Sequence, residues 1–106
     1  MSMDAVFRVL ADRSRRKLLD RLHKRNGQAL RELCEGLAMS RQAVTKHLAI
    51  LEAANLVVTK KEGRTKLHFI NPVPINDIAE RWIGKFEHRR LSALSALKDI
   101  LERNSR

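Results

Sequence analysis

The sequence predicts a mainly α-helical chain carrying one small β-hairpin, and three observations lead there. Apolar residues recur at three- and four-residue steps through most of the 106 residues, which is the periodicity of amphipathic helices. One run of β-branched residues, interrupted by Glu62-Gly63-Arg64, has the spacing of a hairpin instead. With 43% hydrophobic and 32% charged residues, four glycines and two prolines, the composition suits a helix-rich globular chain and not a disordered or fibrous one. At this length one core can be filled and two cannot, so residues 1–106 are expected to form a single domain.

The elements follow in order. Val6, Phe7, Val9 and Leu10 indicate a first helix over about Met3 to Ala11. Asp12 and Ser14 offer N-caps for a second, whose apolar stripe is Leu18, Leu19 and Leu22 and which Asn26-Gly27 ends. A short third helix over about Leu30 to Gly36 aligns Leu30, Leu33 and Leu37, and Ala38-Met39 turns the chain. Ser40 caps a fourth helix through about Ala54, which Asn55 breaks. Strands are expected at Leu56 to Lys61 and Thr65 to Ile70, with Gly63 supplying a positive φ between them. Pro74 or Asn76 opens a last helix, about 75–103, carrying Ile75, Ile78, Ala79, Trp82, Ile83, Phe86, Leu94, Leu97 and Leu101.

At ~1.5 Å per residue that last helix would be on the order of 40 Å long, more than so small a domain covers alone. Its charges are mixed, Asp77, Glu80 and Glu87 beside Arg81, Lys85, Arg89 and Arg90, whereas a membrane-surface helix wants a predominantly basic polar face. Core packing and pairing with a second copy are the competing readings. Pairing is favoured, with Trp82, Ile83, Phe86, Leu94, Leu97 and Leu101 as its interface.

Twenty-two Lys and Arg against twelve Asp and Glu leave a net charge of +10, which favours a polyanionic partner. Residues 13–25 hold seven basic side chains against Asp20, and residues 37–73 hold six against Glu52 and Glu62; the two stretches are expected to share a face. The plainer reading of any one such residue is that it solvates a helix. A lone Cys34 excludes an internal disulfide and suits a reducing cytosol. No apolar run approaches the ~18 residues of a membrane span, and Met1 to Leu10 lacks the pattern of a signal peptide. The expected location is the cytoplasm, with no membrane partner.

Residues 30–54 read helix, short turn, helix, followed by a hairpin over about 56–70, the order of a winged helix-turn-helix. At 100° per residue, Arg41, Gln42, Thr45, Lys46, Ala49 and Glu52 fall within an arc of about 140° on the fourth helix, while Val44, Leu48 and Leu51 point the other way. The outward residue types suit a DNA major groove: Arg pairs with guanine N7 and O6, Gln with adenine N6 and N7, and Thr offers a hydroxyl and a methyl. Ser40 and the first turn direct backbone N–H groups and a positive dipole toward phosphate. His47, on the inner side, reads as a packed histidine. Lys60, Lys61, Arg64 and Lys66 would lie along the backbone or minor groove, unless they only keep an exposed edge soluble. The expected DNA-binding residues are therefore Ser40, Arg41, Gln42, Thr45, Lys46, Lys60, Lys61, Arg64 and Lys66.

Three strings carry a family resemblance: Leu10 to Leu19, Arg31-Glu32-Leu33, and Ser40 to Val57 with its S-x-x-A-V-x-K-H-L-x-x-L-x-x-A-x-L-V pattern. Together they resemble the ArsR-type winged-helix transcription regulators. The resemblance implies a bacterial homodimer that binds palindromic operator DNA as a repressor, leaves it when an effector or modification arrives, and uses its first and last helices as the interface, which adds Val6, Phe7 and Leu10 to the expected interface residues. Arg13 stands where Pro is common and Ala29 where a Ser or Thr cap is common.

Many such regulators sense metals through a C-x-C pair just after Glu-Leu. Here Cys34 keeps the first position and Gly36 replaces the second, so that site lacks a ligand. Along the last helix Asp77, Glu80, Glu87 and His88 include no His paired with another His or acid three or four residues away. No metal site, no cofactor and no catalytic constellation is expected, and no motif designates an effector. Two alternatives stand beside the repressor: a metal- or thiol-responsive sensor of the same family, and a winged-helix dimer acting mainly through protein contacts.

Overall fold

The computed structural model describes residues 3–83 and 95–103, the side chains of Trp82 and Ile83 excepted. Its chain divides into two compact units, Met1–Ile75 and Asn76–Arg106.

In the first unit, α1 (Met3–Leu10) turns Val6 and Val9 inward. Asp12 then caps α2 (Arg13–Lys24), its carboxylate accepting from the backbone N–H of Ser14 at 2.8 Å and of Arg15 at 3.1 Å. Of the two caps the sequence offers, the structure uses the aspartate. The third helix is shorter than expected: α3 is Leu30–Cys34, because Glu35 leaves helical geometry and Gly36 enters the left-handed region at φ +71°. Ala29 has no side chain to cap α3, but Glu32 Oε1 accepts from the Ala29 N–H at 3.1 Å and supplies half of a capping box. Ser40 Oγ accepts from Ala43 N at 3.1 Å to start α4 (Arg41–Ala53). Asn55, at φ +59°, ends it.

Strands β1 (Val57–Glu62) and β2 (Thr65–Ile70) pair antiparallel, with Val57 opposite Ile70 and Glu62 opposite Thr65. Gly63 has φ +63° and its Cβ position is open, so the positive φ alone calls for glycine in this loop. The outer edge of β2 is pinned as well: Gln28 and His68 exchange backbone hydrogen bonds of 3.1 and 2.8 Å. His68 Nδ1 lies 2.9 Å from the Gln28 carbonyl, and Gln28 Nε2 donates to the Arg21 and Arg25 carbonyls at the end of α2. The sequence did not announce this bridge, which ties the root of the wing to the body.

The core of this unit is Leu18 and Leu22 of α2, Leu33 of α3, Val44 and Leu51 of α4, and Leu56 and Val57 entering β1, all essentially inaccessible. Truncating any of these leucines to alanine costs about 2–5 kcal/mol. Leu30 and Leu37, grouped with Leu33 by spacing, are only half-buried.

The last segment departs from the expected uninterrupted helix. α5 (Val73–Ile78) starts before Pro74, with Asn71 Oδ1 accepting from Val73 N at 3.3 Å. The winding then widens to a π-helix over Ala79–Ile83. Residues 95–103 are helical. The expected interface residues Phe86 and Leu94 lie outside the described residues, as do the side chains of Trp82 and Ile83. Leu97 and Leu101 are 51% and 59% exposed. In α1, Phe7 is 43% exposed and Leu10 half-buried, whereas Val6, an expected interface residue, is buried in the core at 4%.

Candidate nucleic-acid interface

α4 presents the arc the periodicity describes. Ser40, Arg41, Gln42, Thr45, Lys46 and Ala49 are exposed, while Val44, Leu48 and Leu51 are buried. Among the described residues the side chains of Arg41, Gln42 and Lys46 make no hydrogen bond or ion pair, so their donors are free for an external partner. Thr45 differs: its hydroxyl donates to the Arg41 carbonyl at 2.9 Å, leaving a methyl and an acceptor lone pair outward. Ser40 Oγ is engaged in the cap.

The hairpin register divides the four wing cations. Lys61 stands opposite Lys66, and Thr59 opposite the buried His68, so these share one face; Lys60 stands opposite Leu67 on the other. Lys66 Nζ reaches Glu52 Oε1 on α4 at 3.2 Å, which identifies the first face as the one turned to α4. Lys61 therefore lies on the recognition-helix side and Lys60 does not. Arg64 is exposed at the tip. Between α3, α4 and β2 runs an open groove of about 650 Å³ whose lining includes Arg31, Arg41, Thr45, Glu52, Arg64 and Lys66, with His68 beneath. Arg31 is the residue that the sequence reading left unassigned; its place on the helix preceding the recognition helix was the available signal.

The basic stretch on α2 is used differently. Arg15 Nε donates to the Val9 carbonyl at 2.9 Å and Arg16 to the Leu10 carbonyl at 2.7 Å. Arg21 donates to the Glu32 and Leu33 carbonyls, 3.3 Å each. Arg25 pairs with Glu32. Arg15, Arg16 and Arg21 thereby cap the carbonyl ends of α1 and α3, where free C=O groups and the negative dipole end favour a cation. Glu32 stays ionised for this purpose: the Ala29 N–H holds its carboxyl below the usual glutamate value of 4.5, against a contrary push from burial, and the Arg25 charge adds to the lowering. The Arg15 N–H likewise holds Asp12 below 3.8, helped by the Arg15 charge.

His47 is half-buried on α4, with Nδ1 enclosed and unpartnered, so it faces the protein interior rather than the groove. Cys34 is half-buried and free. Among the described residues, no three His, Cys, Asp or Glu side chains converge as a metal site would require, and no helix is long and apolar enough to cross a membrane.

Comparison with known proteins agrees with this geometry. Residues 10–60 match a family described as a helix-turn-helix domain. An uncharacterized HTH-type transcriptional regulator of Bacillus subtilis, YuzN, is 38% identical over 86 residues, covering 76% of this chain and 94% of that protein. The transcriptional repressor SdpR of the same organism is 28% identical, over 79% of this chain and 91% of its own. The structure of an ArsR-like transcriptional regulator from Rhodococcus sp. RHA1 superposes with a TM-score of 0.69 at 33% identity, covering 90% of this chain and 91% of that one. The chain belongs to the ArsR-like helix-turn-helix transcriptional regulators, and it is a DNA-binding regulator of transcription with the winged fold.

Proposed function

We propose that this regulator is a homodimeric repressor that sits on a palindromic operator in the bacterial cytoplasm and acts by binding, not catalysis. One observation carries the reading: Arg41, Gln42 and Lys46 stand exposed and uncommitted on one arc of α4, beside Lys61 and Arg64 of the wing. Arg41 and Gln42 read base edges in the major groove, and Thr45 offers its methyl to a thymine. Ser40, Lys46, Lys61 and Arg64 contact phosphates, while Lys66, held by Glu52, braces the wing and Lys60 takes at most a peripheral share.

Two recognition helices must enter successive major-groove turns ~34–36 Å apart, which one copy cannot do. The exposed Phe7, Leu97 and Leu101 supply apolar surface suited to a second copy, and Leu10, Trp82, Ile83, Phe86 and Leu94 complete the proposed interface. The name of SdpR as a repressor supports repression over activation.

Sequencing the genomic fragments that the purified protein retains identifies the operator. Affinity for that operator is then measured against salt, and the log–log slope is expected to be steeply negative, about −0.9 per phosphate contacted. A flat salt response, or tight operator binding by a monomer in sedimentation, would refute the proposal.

A further inference from the structure

We infer that the groove between α3, α4 and β2 is a phosphate-binding site for the DNA backbone, in which Arg31 joins Arg64 as an anion-binding group beside the base-reading Arg41. The inference rests on the DNA-binding reading and adds to it a contact outside the recognition helix and wing.

The groove is lined from three elements, α3, α4 and β2 with its turn, each contributing a guanidinium. All three arginines are exposed, and among the described residues none donates a hydrogen bond or joins an ion pair. This sets them apart from Arg15, Arg16, Arg21 and Arg25, which are committed to carbonyls or to Glu32. Two nearby acids are already occupied. Glu52, the one acid in the groove lining, is paired with Lys66, and Glu32, next to Arg31 in sequence, is held by Arg25 and the Ala29 N–H. The unopposed charge left in the groove is cationic, and guanidinium groups suit the fork geometry of phosphate oxygens. In helix-turn-helix complexes the helix before the recognition helix crosses the sugar–phosphate backbone, and α3 is that helix here.

The test compares wild-type protein with Arg31→Ala and Arg31→Lys on operator and random duplexes across a salt series. Arg31→Ala should weaken both DNAs by the same factor, roughly three- to tenfold near 0.1 M salt. It should also make the salt slope shallower by about 0.9, one phosphate contact. Arg31→Lys should recover most of that slope, and thermal unfolding should change little, because the side chain makes no hydrogen bond or ion pair in the fold and Lys keeps the charge that acts on Glu32. A separate titration compares inorganic phosphate with chloride at equal ionic strength. Displacement of DNA by phosphate that is weaker in Arg31→Ala supports an oxyanion site at Arg31, whereas phosphate binding lost in Arg31→Ala with an unchanged salt slope for DNA would overturn the strand as occupant in favour of a free oxyanion. If wild-type binding is flat with salt, the DNA-binding reading fails; if wild type is steep and Arg31→Ala equally steep, only this inference fails.

Discussion

Helix α2 with its C-cap and the surface formed by α4 and the wing are both rich in cations, yet four arginines of the first are committed internally and those of the second are not. On α2, Arg15, Arg16 and Arg21 turn their guanidinium groups to the carbonyl ends of neighbouring helices and Arg25 is tied to Glu32. On α4 and the wing, Arg41, Lys46, Lys61 and Arg64 are exposed with no internal partner among the described residues. A net charge of +10 therefore overstates the cations aimed at DNA. Internal hydrogen bonding, and not the count of basic residues, separates a structural arginine from one available to a ligand.

That contrast can be broken experimentally. Arg41→Ala should cost the most, about 1–3 kcal/mol of discrimination between operator and random DNA if its bidentate base contact is lost, with unfolding unchanged; equal loss on both DNAs would move Arg41 from reading to phosphate binding. Arg21→Ala should do the reverse. Losing two carbonyl hydrogen bonds costs about 1–2 kcal/mol of stability, visible as a drop of several degrees in Tm, while the salt slope of DNA binding stays as in wild type.

Smaller effects sharpen the division within the wing. Lys61→Ala or Arg64→Ala should weaken all DNA alike and remove about 0.9 from the salt slope, whereas Lys60→Ala, on the opposite hairpin face, should change it less. Equal slopes for Lys60→Ala and Lys61→Ala would contradict the side assignment from the register. The least effect is expected at the α2 cap. Asp12 titrates below 3.8 in the fold, so its charge contributes fully above that pH and is lost as pH falls through its folded value. The Tm advantage of wild type over Asp12→Asn should accordingly narrow under acid, and a gap that is constant with pH would remove the charge from the explanation.

Much of this was legible in the chain. The buried face of α4 followed from the spacing of Val44, Leu48 and Leu51, its start from Ser40, and the hairpin turn from Gly63, because each signal is contained within a few residues. Other features were read less well. α3 stops at Cys34 because Gly36 goes left-handed while Leu37 is only half-buried, so a leucine at helical spacing does not guarantee another turn. The three- and four-residue spacing of Ile75, Ile78, Ala79 and Trp82 reads as regular helix and does not mark the π-winding at Ala79–Ile83.

The sequence by itself determined the order of elements, the two faces of the recognition helix and the class of partner, since helical and strand periodicities are properties of neighbouring residues. Tertiary structure alone decided which cations remain free. Arg21 finds carbonyls on α3, Lys66 finds Glu52, and Gln28 meets His68 forty positions away. A long flexible side chain takes whichever partner the folded backbone brings within reach, and local spacing does not encode that distance.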